Sequence, residues 1–182
     1  ALLAVTGGPE VVHQCLSSGK KAIGAGAGNP PAIVDETANI EKAAFDIVHG
    51  ASFDNNILCI AEKSVVAVRD ISDFLIFNME KAGAFLVKDS AQIEKLRTLT
   101  LMENGNPSRK FIGKDAKFIL ESAGIPCDYD PTIIIMKAEQ CHDFVMKEML
   151  MPILPIVEVD DFEEALKVAL QIEQGLHHTA TM

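Results

Sequence analysis

Apolar positions along this chain follow two periods, and stretches of each alternate. Leu2 to Thr6 is an apolar run closed by Gly7-Gly8, which predicts a buried strand, and Pro9 then favours a helix over Glu10 to about Ser17. Ala32 to Asp35 predicts the next strand; Ile40, Ala43, Ala44, Ile47 and Val48 share one face of a helix over Asn39–Val48. Further on, strands are expected over Ser64–Val68, Ala84–Val87, Thr132–Met136 and Pro152–Val159. Helices are expected between them over Asp73–Lys81, over Gln92 to about Met102 with Ser90 as N-cap, and over Lys114–Ala123 with Gly124 closing it. A last helix spans Phe162–Gln174, capped by Asp160 or Asp161 and ended by Gly175, and His177-His178 open a last strand. Strands alternating with helices, several of them apolar throughout, predict an α/β fold of three layers: a mainly parallel sheet with helices on both faces.

Composition narrows the classes. A chain of 182 residues is expected to form a single domain with its own core. Lys+Arg 16 against Asp+Glu 26 leaves a net charge of −10, which argues against a nucleic-acid partner because phosphates need a basic face. The longest strongly apolar run, Met149 to Val157, is broken by Pro152 and Pro155 and is far short of the ~18 residues that suggest a membrane span. No basic segment precedes Leu2–Val5, so no signal peptide is expected. Cys15, Cys59, Cys127 and Cys141 show no paired metal-ligand spacing, which fits reduced thiols in the cytoplasm and predicts no metal site. Both ends open or close inside strand-like runs, so residues 1–182 are expected to be a domain cut from a longer chain.

The chemistry concentrates between Gly50 and Val66. There Ser52 to Cys59 joins a helix to a strand, and such connections present functional groups. A thiol beside successive amides and the side chains of Asp54, Asn55 and Asn56 reads as an activated nucleophile; the bland alternative is a small buried core residue. Other constellations read less sharply. Gly7-Gly8 is either a turn or a place where backbone approaches a ligand. Gly24, Gly26 and Gly28 leave room near the backbone, but Pro30-Pro31 and a strand follow, so they do not form a phosphate loop. His49 ends a helix, where a charge–dipole role competes with that of a base. Ser108-Arg109-Lys110 is a solvated loop or a contact for phosphates. In Cys141-His142-Asp143, adjacency is poor geometry for a triad, and His177-His178 without further spaced ligands does not make a zinc site.

Phe53-Asp54-Asn55-Asn56-Ile57-Leu58-Cys59 resembles the nucleophile loop of the aldehyde dehydrogenase superfamily, and Ile60-Ala61-Glu62-Lys63 resembles its CoA-acylating branch. Gly24 to Pro31, Val34 to Ala38, Met151 to Pro155 and Gly175 to Ala180 match further blocks in the family's order. The likeness extends to the propionaldehyde and acetaldehyde dehydrogenases of propanediol and ethanolamine breakdown. It implies a Rossmann-like catalytic domain, with the cofactor-binding and oligomerisation elements largely outside this chain. It implies Cys59 as nucleophile, Glu148 as the carboxylate that holds the nicotinamide ribose, and Gly7 and Gly8 on the nicotinamide side of the cofactor pocket. Leu150 departs from the family's aromatic at that place. Asn55, Ile57, His177 and His178 are implied along the substrate and CoA channel.

Hydrolytic members carry a glutamate at the head of the glycine-rich turn, as the base that activates water. Gly24 to Asn29 has no carboxylate, and a missing base costs hydrolysis roughly 10²–10⁴. The resemblance therefore implies conversion of a short-chain aldehyde to acyl-CoA, with NAD as hydride acceptor and coenzyme A as acyl acceptor. It also implies a homo-oligomer and a cytoplasmic site, extending to a bacterial microcompartment. Two alternatives stay open: a hydrolytic dehydrogenase releasing free acid, and, for the isolated chain, a folding or interaction module with little or no activity.

Overall fold

The computed structural model describes residues 1–182, apart from the side chain of Pro9. Its strands are β1 (Leu2–Thr6), β2 (Lys21–Ala25), β3 (Pro31–Val34), β4 (Ser64–Val68), β5 (Ala84–Leu86), β6 (Ile133–Lys137) and β7 (Ile153–Val159). Its helices are α1 (Pro9–Leu16), α2 (Ile40–Ser52), α3 (Arg69–Lys81), α4 (Ser90–Thr100), α5 (Ala116–Ser122), α6 (Asp143–Met146) and α7 (Phe162–Glu173). Every strand pairing is parallel, as the apolar strands predicted.

The strands form two sheets. β1 and β2 make a small βαβ unit with α1, whereas the main sheet has the order β3-β4-β7-β6-β5. Period-two alternation decides which face each strand residue covers. Ala32, Val34, Val65, Ala67, Ile133 and Ile135 point toward α2 and α3. On the opposite face Ile134, Met136 and Ile153 meet α4 and α5, and Ile33, Val66, Val157 and Val159 meet α7. The three layers expected from the pattern are present.

Several elements differ from expectation. β2 forms in a stretch of small residues: a Cβ on Gly24 would lie 2.8 Å from Val12 Cγ1, so only glycine lets α1 pack this closely on the strand. The cap of α4 is Asp89, whose carboxylate accepts from the Ala91 amide at 3.0 Å, and Ser90 is the first helical residue. α3 begins at Arg69, four residues before the expected start. The strand expected from His177 does not form, because Gln174, Gly175 and His177 have φ of 57°, 75° and 51° and extension is lost. The chain rejoins the sheet only at Thr181, which bridges to Ala32 beside β3.

Asp161 is the cap of α7, its carboxylate accepting from the Glu164 amide at 2.8 Å. Asp161→Ala is expected to cost about 1 kcal/mol, the usual value of such a cap. Urea denaturation should show a lower midpoint with an unchanged slope.

Candidate active site

The Cys59 loop begins where α2 ends. Asp54, Asn55 and Asn56 all take left-handed backbone, with φ of 50°, 53° and 63°. Asn and Asp tolerate this region best among non-glycine residues, yet three in succession need support from elsewhere. Asn56 supplies part of it: its buried amide nitrogen donates to the Ala51 carbonyl at 2.6 Å and to the Glu62 carbonyl at 2.9 Å. Asn55 Nδ2 reaches across to the Gly113 carbonyl at 3.1 Å and to Asp115 Oδ1 at 2.8 Å. Lys63 supplies the rest. The residue is 3 % exposed, and its ammonium donates to the Asn56 carbonyl at 2.7 Å, to Asn56 Oδ1 at 2.6 Å and to the Leu58 carbonyl at 2.8 Å.

Cys59 is half-buried and stands at the top of this scaffold. Phe53, Ile57, Leu58 and Ile60 flank it as exposed apolar side chains. Among the described residues, the N–H groups of Cys59 and Ile60 make no backbone hydrogen bond, which leaves two adjacent donors free on the loop.

Two other segments close on the loop. Pro30 accepts the Lys63 amide at 2.8 Å, so the glycine segment runs alongside, and a Cβ on Gly28 would lie 3.1 Å from the Cys59 carbonyl. Buried Asn29 anchors that segment by donating to the carbonyls of Val145 at 2.8 Å and Ile172 at 2.9 Å. His178 lies against Gly28 as well, its Nδ1 2.8 Å from Thr179 Oγ1. His177 is exposed.

Electrostatics at the site are those of charges drawn from water. Burial pulls the Lys63 ammonium down to about 8, against the opposing pull of Glu148, Cys59 and Glu62. Burial pushes the Glu148 carboxyl up, opposed by Lys63, by the Gly28 amide and by His178. Its Oε1 is buried without a hydrogen-bond partner. Glu62 is raised by burial as well, opposed by its own amide, by the Thr181 hydroxyl and by Lys63.

Of the residues singled out in the sequence, Cys59, Glu148 and His178 thus come to one place, with Asn55 and Ile57 on the same loop. Gly7 and Gly8 belong to the small βαβ unit, where Gly7 donates to the Ala25 carbonyl at 3.1 Å and Gly8 caps α1. The lesser constellations resolve as structure: His49 stacks on Phe45, His142 caps α6, and Asp143 pairs with Arg97 and Lys147. Sequence reasoning missed the roles of Lys63 and Asn29, both buried polar residues that bond backbone carbonyls. The available signal for Lys63 was its place directly ahead of a wholly buried strand.

The site lies at the amino-terminal ends of β3, β4 and β7, since Gly28–Pro30, Cys59–Lys63 and Glu148–Pro152 all precede their strands. Open α/β sheets usually bind ligands at the opposite edge. At that edge Arg69, Lys137, Asp73, Glu158 and Asp160 are paired with one another.

The fold is thus a parallel α/β sheet that presents a half-buried cysteine on a braced loop at its amino-terminal edge. Residues 1–180 match the model of the aldehyde dehydrogenase family. The chain belongs to that family. It is 49% identical over 183 residues to the CoA-propanoylating propanal dehydrogenase of Salmonella typhimurium, covering 100% of this chain and 39% of that protein. A solved propionaldehyde dehydrogenase of Rhodopseudomonas palustris, with bound CoA and an acylated cysteine, superposes with a TM-score of 0.96 at 51% identity, over 98% of this chain and 41% of that one. An engineered glycolyl-CoA reductase with bound NADP+ superposes at 0.95 and 52% identity, over 98% and 41%. The chain therefore spans about two-fifths of the length of the relatives it matches.

Proposed function

We propose that this chain supplies the nucleophile, Cys59, of an enzyme that oxidises a short-chain aldehyde to acyl-CoA. The observation that carries the reading is a juxtaposition: a braced thiol beside two free amides, against a glycine segment without a carboxylate. The Cys59 sulfur attacks the aldehyde carbon, and the C=O π pair moves onto oxygen, forming a thiohemiacetal anion. The N–H groups of Cys59 and Ile60 hold that oxyanion; one such donor is typically worth 10²–10³ in rate. Loss of hydride from the former aldehyde carbon leaves a thioester on Cys59. NAD, when bound, is the hydride acceptor. The thiolate of coenzyme A then attacks the thioester, releasing acyl-CoA and restoring the Cys59 thiolate.

The residues present fit a dinucleotide. The unpartnered Glu148 Oε1 suits a ribose hydroxyl donor, which would satisfy an oxygen now buried without one. The relatives that hold NADP+ and CoA support both ligands, and the apolar side chains around Cys59 suit a short alkyl group. Gly7 and Gly8 belong to this reading as the nicotinamide side of the pocket, and Asn55, Ile57, His177 and His178 as the borders of the substrate and CoA channel. We place the complete enzyme, a homo-oligomer, in the cytoplasm or a bacterial microcompartment; no helix among the described residues is long and apolar enough to cross a membrane.

A chimera in which residues 1–182 replace the matching segment of the Salmonella propanal dehydrogenase tests the reading. With propanal and NAD it should form propanoyl-CoA only when CoA is present. Free propanoate formed without CoA would favour the hydrolytic alternative, and a folded chimera that binds NAD yet makes neither product would leave an inactive module.

A further inference from the structure

Lys63 is the one charged side chain in the buried set among the described residues, and all of its hydrogen bonds run to a single loop. An ammonium has three N–H donors, and three oxygens of Asn56 and Leu58 take all of them. Two of those oxygens belong to Asn56, the last residue of the left-handed run Asp54–Asn56, and the third belongs to Leu58 just beyond it. The same residue's amide is tied to Pro30, so one lysine links the loop, the start of β4 and the glycine segment.

We propose that Lys63 is a positioning residue for the nucleophile: its ammonium is the strut that holds the left-handed Asp54–Asn56 turn, and through it the station of Cys59. The catalytic importance of this strut rests on the reading of Cys59 given above; the strut itself does not. A charged donor is required, because an amine left with two N–H groups cannot satisfy three buried oxygens. Glu148 ahead of β7, together with Cys59 and Glu62 on the loop, are the acidic groups that face the ammonium, and His178 from the C-terminal segment faces Glu148. Burial nevertheless draws Lys63 to about 8. The strut should therefore release within the mildly alkaline range.

The sign of the linkage separates this release from general unfolding. Between about 8 and the ordinary lysine value of 10.5 the unfolded chain binds more protons at this residue than the folded chain, so the contribution of Lys63 to global stability rises with pH. Loosening of the loop should run the other way.

Amide hydrogen exchange of the chain itself tests the proposal. The reporters are the amides of Ile57 and Ala61, bonded at 3.2 Å and 3.1 Å to the carbonyls of Asp54 and Leu58. In Lys63→Met, exchange at these amides should quicken about tenfold or more at pH 7 while amides of β4 and β7 stay protected. A folded Lys63→Met with unchanged loop exchange would overturn the proposal. Should that variant not fold, the wild-type chain decides. After correction for intrinsic exchange, loop protection should fall between pH 7 and pH 9.5 with a midpoint near 8; a flat profile sinks the strut, since a lysine that merely fills space has no such midpoint. Neither result depends on Cys59 reacting, so failure here is distinct from failure of the acyl-transfer chemistry.

Discussion

Cys59→Ala, placed in the chimera described above, is expected to lower CoA-dependent aldehyde oxidation by about 10⁴-fold or more. The reason is chemical. Without the sulfur neither thiohemiacetal nor thioester can form, and the two free amides beside position 59 then have no covalent oxyanion to hold. The substitution should leave the fold intact, because Cys59 is half-buried and belongs to none of the three core clusters. Two measurements check this: steady-state rates with propanal, NAD and CoA, and intact mass after incubation with propanal and NAD alone. The parent should gain a propanoyl mass mapping to Cys59, and the variant should not. A variant that keeps a tenth of the parent's rate would remove Cys59 from the mechanism.

Gly28→Ala should have the next largest effect, although it adds only one methyl group. The new Cβ would stand 2.7 Å and 2.9 Å from His178 Cγ and Cδ2 and 3.1 Å from the Cys59 carbonyl. Neither neighbour yields cheaply: one is a rigid ring engaged with Thr179, the other is backbone of the nucleophile loop. Overpacking of this kind costs roughly 1–3 kcal/mol in stability. Displacing the loop matters more, since a misplacement of about 1 Å at a reacting group lowers turnover by about 10²-fold. Gly26→Ala is the control, because a Cβ there meets nothing within 4 Å, and it should stay within about 0.5 kcal/mol of wild type. Equal effects for the two variants would mean that the whole glycine segment is simply intolerant of side chains, and Gly28 would lose its special place.

Much of this architecture was legible because the responsible forces act locally. The apolar runs at Ser64–Val68 and Pro152–Val159 announced strands buried on both faces, and Ile40 to Val48 announced a helix with one apolar side. The Cys59 loop could be located for the same reason, since helix and strand periodicities stop on either side of it. Failures came where neighbours distant in sequence decide the outcome. Lys21–Ala25 looked like part of a glycine segment that leaves room near the backbone and is a strand, because β1 pairs with it and Gly24 admits Val12. His177-His178 looked like the start of a strand, but the left-handed backbone at Gln174, Gly175 and His177 ends the extended path.

The sequence by itself determined the order of most elements, the α/β class, and the presence of a thiol between a helix and a strand, because each depends on patterns within a few residues. Only the tertiary structure decided the strand order β3-β4-β7-β6-β5, and with it the meeting of segments from four parts of the chain at one sheet edge. Gly28, Cys59, Lys63, Glu148 and His178 are separated by up to 150 positions, and no periodicity connects them. Parallel pairing sets the amino-terminal ends of β3, β4 and β7 side by side, and there Lys63 is buried with its ammonium bonded to Asn56 and Leu58 of the Cys59 loop.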